Sequence, residues 1–167
     1  MTNCKPASTP VAQGEKLSSN SDHARVDEKS YRSLVGCLLY LTATRAGTMY
    51  AVSLLSRFMH CYNSAHFKAA ERVLRYVTGT LSYRVKLVKA KELKLVGYLD
   101  SDWAGSIDDM KSTSGYFFTL GSRVFIWSSK KQQTEVQSIV EAVYIAAATA
   151  VNQAIWLRKL LSDLNVD

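Results

Sequence analysis

Asp100 closes an apolar run (residues 93–99) and is followed by Ser101-Asp102-Trp103-Ala104-Gly105. A carboxylate at a strand end, beside small residues, holds a hard divalent cation when further oxygen ligands reach it from elsewhere. An Asp-Ser-Asp run also satisfies a turn through local hydrogen bonds, and both readings stand at this point. Asp108-Asp109 fits a solvated loop. His23, His60 and His66 lie far apart and show no metal-ligand spacing. Cys4, Cys37 and Cys61 form no Cys-x-x-Cys pair, and an odd number cannot all pair within the chain. That excludes a disulfide framework and a zinc ribbon. The sequence has no glycine-rich phosphate loop and no Ser-His-Asp order.

The other chemistry is charge. The chain carries a net +7 over 167 residues, and residues 29–92 alone carry +9, while the flanking stretches are close to neutral or acidic. Lysines and arginines concentrated this way track a phosphate backbone by displacing its condensed counterions. The same block also reads as a solvated helix surface. The candidate phosphate contacts are Lys68, Arg72, Arg75, Arg84 and Lys86.

These residues need elements to position them. Residues 1–28 mix polar residues with Pro6 and Pro10 and show no apolar period, so they read as a flexible linker. Leu34, Val35, Leu38, Leu39 and Thr42 then recur at three and four, predicting a helix through about residue 44. A second helix is expected over 48–60. Asn63-Ser64 supplies an N-cap for a third, which ends at Thr78-Gly79-Thr80. In that third helix Phe67, Ala70, Leu74 and Val77 should face inward, with Lys68, Arg72 and Arg75 outward. From residue 83 the period shortens to two, predicting strands over 83–88 and 93–99 joined by a polar turn. Strands over 113–120 and 123–129 flank Gly121-Ser122 as a hairpin. A long helix over 138–164 closes the chain, with Val140, Val143, Ala147, Val151, Ala154, Leu157, Leu161 and Leu164 as its expected stripe.

Apolar residues make up 47% and charged residues 21%, which is globular rather than disordered composition. The longest mainly apolar stretch is read as residues 34–43, too short to span a bilayer. The first residues lack the apolar core of a signal peptide. No membrane is expected, and the chain reads as a soluble protein of the cytosol or nucleus.

Several motifs in order carry a family resemblance. Gly97-Tyr98-Leu99-Asp100-Ser101-Asp102-Trp103-Ala104-Gly105, Lys111-Ser112-Thr113-Ser114-Gly115-Tyr116, Trp127-Ser128-Ser129-Lys130-Lys131-Gln132 and Glu141-Ala142-Val143-Tyr144 are the clearest. Together they resemble the ribonuclease H region of copia-type LTR retrotransposon polyproteins. Tyr31-Arg32-Ser33-Leu34-Val35-Gly36, Ser56-Arg57-Phe58 and Arg72-Val73-Leu74-Arg75-Tyr76 are similar to the segment joining reverse transcriptase to its nuclease. The resemblance implies an α/β fold, α+β in detail: a flexible linker (1–28), a three-helix connection segment (29–80) and a truncated ribonuclease H-like domain (81–167).

The resemblance also implies which parts of the chemistry are missing. The family holds two magnesium ions with carboxylates from the first strand, the first long helix and the fourth strand; one metal activates water and the other stabilises the leaving oxygen. Asp100 matches the first ligand. Val143 stands where the helix glutamate belongs, and Glu141, about 200° round the helix, does not replace it. The fourth strand would follow Asp167. Asp100 is therefore expected to be a metal and catalytic remnant, with no cofactor retained. The expected function is a non-cleaving, ribonuclease H-like fragment that binds RNA–DNA hybrid or other nucleic acid without sequence preference. A domesticated protein-interaction or effector-like module is the alternative, since Arg72-Val73-Leu74-Arg75 fits the Arg-x-Leu-Arg pattern of oomycete effectors. A hybrid nuclease completed by a second chain is another. Two structural expectations follow: the 83–88 strand pairs with 93–99, and Val143 lies buried near Asp100. An unpaired edge on the 93–99 strand would instead favour self-association.

Overall fold

The computed structural model describes residues 4–20, 24, 27–84 and 92–165. It comprises two units, Met1–Tyr83 with Ser106–Asp108, and Arg84–Gly105 with Asp109–Asp167. Among the described residues, four helices and a three-stranded antiparallel sheet make up the mixed α/β architecture expected from the sequence.

The first unit is helical. α1 (Glu28–Leu41) starts at Asp27, whose carboxylate accepts from the Ser30 amide and hydroxyl at 2.9 and 2.6 Å. A single 3-10 turn (Ala46–Thr48) leads into α2 (Met49–Ser56), shorter than expected, and α3 (Ser64–Gly79) follows the predicted Asn63 cap. Tyr31, Val35, Leu38, Val52, Leu55 and Val73 fill the core, and Ala51 and Ala70 let the helices approach closely. The Tyr31 hydroxyl donates to the Leu55 carbonyl at 2.9 Å, so burying the phenol leaves no polar atom unpaired. The inward face of α3 differs from the expected one: His66, Ala70 and Val73 are buried, while Phe67, Leu74 and Val77 lie at its margins. His66 is drawn in because Nδ1 accepts from the Asn63 amide (3.1 Å) and the ring stacks on Phe58, with centroids 4.1 Å apart.

In the second unit, β1 (Leu95–Ser101), β2 (Thr113–Leu120) and β3 (Arg123–Lys131) form a meander in the order β1-β2-β3. The β2–β3 hairpin turns at Gly121, whose φ of +62° suits a residue without a Cβ. Gly97 pairs with Phe118, and a Cβ at Gly97 would lie 2.6 Å from the Phe118 ring, so that glycine makes room for the aromatic side chain. Of the expected 83–88 strand, Tyr83 and Arg84 carry no regular structure, and residues 85–88 lie outside the described residues.

α4 (Ile139–Asp163) packs against β1 and β2 and starts at Ser138, whose hydroxyl accepts from the Glu141 amide. Its buried residues are Ala142, Ala146, Ala150 and Leu157. This corrects the expected stripe. Val140 and Val151 are exposed, and Val143 is 39% exposed rather than buried. A line of alanines at every fourth position lets the backbone approach the sheet, which turns the neighbouring valines to the flanks. α4 also corrects the expected apolar span: by length and composition alone it is long and apolar enough to cross a membrane.

Candidate functional site

Asp100 and Asp102 are two residues apart, yet they serve different ends. The Asp102 amide donates to the Thr113 carbonyl at 3.1 Å, and the Thr113 amide donates back to Asp102 Oδ1. A Cβ on Gly105 would run into the other Asp102 oxygen. Ser112 is fully buried and its hydroxyl accepts from the Ala104 amide at 3.2 Å. Asp102 therefore closes the loop after β1. Asp100 is exposed, and its Oδ1 accepts from the Ser101 amide at 2.9 Å.

The register sorts the β1 side chains between the two faces of the sheet. Successive strand residues face opposite sides of a sheet. Asp100 pairs with Gly115 and shares its face with the stacked rings of Tyr98 and Phe117. Ser101 and Ser114 share the other face. There the buried Gln132 amide donates from Nε2 to Ser114 Oγ (2.8 Å), to Ser101 Oγ (3.3 Å) and to the Ala142 carbonyl of α4 (2.9 Å). The α4 side of the sheet is thus the side away from Asp100. Gln132 ends the Trp127–Gln132 motif, but nothing in the sequence marks it as the link between β1, β2 and α4.

The basic candidates divide among three settings. Lys68 is exposed on α3, and Arg84 is exposed in irregular chain. Arg72 and Arg75 are half-buried rather than outward. Arg72 donates from Nε to the Thr9 carbonyl (3.1 Å) and from Nη2 to the Thr9 hydroxyl (3.0 Å). Lys86 lies outside the described residues. Another basic residue has a structural role: Arg45 Nη1 donates to the Thr80 carbonyl at 2.8 Å, at the C-terminal end of α3.

No family model and no solved structure matches the chain. The retrovirus-related Pol polyprotein from transposon RE1 of Arabidopsis thaliana is 42% identical over 166 residues, 99% of this chain and 11% of that polyprotein. The corresponding polyprotein from transposon TNT 1-94 of Nicotiana tabacum is 38% identical over 173 residues, 99% of this chain and 13% of its own length. Relatives 38–42% identical over nearly the whole chain are thus copia-type retrovirus-related Pol polyproteins of transposons, of which the chain matches a fragment. It spans about a ninth of the RE1 polyprotein's length. It is also 42% identical over 128 residues to secreted RxLR effector protein 161 of Plasmopara viticola, 76% of this chain and 90% of that protein.

The Pol resemblance implies magnesium, and the side chains present do not fit a two-metal cage. Among the described residues no group of three or more His, Cys, Asp or Glu side chains gathers. The helix position that should supply a carboxylate carries the methyl groups of Val143, which cannot ligate a hard cation.

Proposed function

We propose that this Pol segment binds nucleic acid without cleaving it. One observation carries the reading: Val143 stands at the helix position where the family's nuclease carries a carboxylate to partner the one at Asp100, while residues 29–92 keep a charge of +9. Two-metal hydrolysis needs several carboxylates around both ions, so a valine in the helix position leaves the metal pair short of a ligand for activating water and stabilising the leaving oxygen. Phosphate binding is far less demanding, because each lysine or arginine contributes separately through counterion release. RNA–DNA hybrid is the substrate class favoured by the family, and the expected binding has little sequence preference, since phosphate contacts position rather than specify. The cytosol or nucleus is the compartment in which this segment would act.

A salt titration tests the binding. Fluorescence anisotropy with a labelled RNA–DNA hybrid should give an affinity that falls linearly in log–log form with salt, at a slope of about −0.9 per phosphate contact, lessened by charge reversal at Lys68 and Arg84. A flat salt response, or binding unchanged by those reversals, would contradict it.

The likeness to the Plasmopara protein favours a second reading, a protein-interaction role. In that case a pulled-down protein partner should survive nuclease treatment. The helical setting of Arg72-Val73-Leu74-Arg75, with Val73 buried in the core of the first unit, speaks against a flexible targeting motif at that place. A nuclease completed by a second chain would instead show magnesium-dependent cleavage.

A further inference from the structure

The segment before α1 lies along one ridge of α3. Arg72, Arg75 and Gly79 stand at i, i+3 and i+7, the spacing that puts residues on one helix face. Pro6 covers Gly79 so closely that a Cβ there would come within 2.9 Å of the proline Cβ. The Ala7 amide donates to the Arg75 carbonyl at 3.4 Å. Thr9 takes two hydrogen bonds from the Arg72 guanidinium, and its own hydroxyl donates to the Val11 carbonyl at 2.8 Å. Beyond Thr9, Val11 and Leu17 pack against the helical core. The sequence therefore anchors this stretch with apolar residues on one side of Thr9 and lays a polar crossing over the two arginines.

That crossing satisfies the arginines poorly. Neutral oxygens accept from Arg72, where a phosphate would supply charged ones and a stronger pairing. Arg75 Nε is buried with no hydrogen-bond partner among the described residues. A buried donor left this way costs free energy that a phosphate partner would offset.

We propose that residues 6–11 form a strap that withholds Arg72 and Arg75 from a phosphate backbone, so that its release raises the nucleic-acid affinity of the α3 face. The proposal rests on the nucleic-acid reading above. It explains how a chain with this charge can keep part of its binding surface in reserve. It also assigns opposite effects to two changes in the same segment. Deleting residues 1–9 removes the crossing and leaves Val11 and Leu17 in place. Thr9→Glu puts a carboxylate against Arg72 and tightens the strap.

The test compares the full chain, the 1–9 deletion and Thr9→Glu by anisotropy with a labelled RNA–DNA hybrid, with far-UV circular dichroism to check helix content. The deletion should bind about tenfold more tightly and steepen the salt slope by about one to two, as two phosphate contacts are gained. Thr9→Glu, a point change at an exposed residue, should weaken binding below that of the full chain, and adding Arg72→Ala to the deletion should remove most of the gain. If the full chain binds but the deletion and Thr9→Glu bind equally well, the strap is overturned and the binding reading survives. If neither the full chain nor the deletion binds at low salt, both fall.

Discussion

Asn63 and His66 cap α3 reciprocally: the Asn63 side chain accepts from the Ala65 and His66 amides, and His66 Nδ1 accepts from the Asn63 amide. Asn63 is recognisable in the sequence as a cap, but a histidine at the third helical position does not announce a capping box, for which Glu or Gln is the usual partner. His66→Ala should cost about 2–3 kcal/mol in chemical denaturation, since it removes both a buried ring and a cap contact; a loss near zero would contradict the assignment. Asp27 gives a pH signature. The Ser30 hydroxyl, followed by the Ser30 amide, holds its carboxyl below the usual carboxylate range. A carboxyl whose folded pKa is lowered stabilises the fold above its unfolded value, and that stabilisation is lost as pH falls through the folded value. Asp27→Asn keeps a good cap but does not titrate, so its melting temperature should fall less than that of the parent between about pH 5 and pH 2. Identical acid limbs would refute this. Val143 belongs at this scale too. Being 39% exposed, it should accept Glu with a stability change within about 0.5 kcal/mol, and a large loss would show that it is buried after all.

At the scale of elements, the hairpin, the strand before it and both long-helix boundaries were legible because they depend on local signals: alternation, a Gly-Ser turn and Ser or Asn caps. The face that α4 buries was not legible. Hydropathy favours valines, but the close seat on the sheet selects Ala142, Ala146 and Ala150. Asp100 was legible as a strand-end carboxylate. Which face of its strand meets α4 was not, since that depends on the pairing of Ser101 and Ser114 and on the Gln132 amide that joins them to α4. The same packing predicts that Gly97→Ala, which drives a Cβ into Phe118, costs about 1–3 kcal/mol and is partly rescued by Phe118→Leu. Equal destabilisation in the single Gly97 variant and the double variant would mean that the crowding lies elsewhere.

At the scale of the whole molecule, charge and apolar surface are unevenly distributed. The positive excess lies in residues 29–92, whereas α4 exposes Val140, Tyr144, Val151, Ile155 and Trp156. A patch of this kind drives association when nothing else covers it. Light scattering should therefore detect a dimer or larger species growing with concentration, and Ile155→Lys with Trp156→Lys should reduce it; a monomer at all concentrations would contradict the expectation. The central claim, that this Pol segment holds nucleic acid but does not cut it, is tested most directly by incubating the full chain with a labelled RNA–DNA hybrid and magnesium. The account predicts no RNA cleavage above background, in the parent and in Val143→Glu alike. Magnesium-dependent cleavage by the parent that disappears in Asp100→Asn would contradict it.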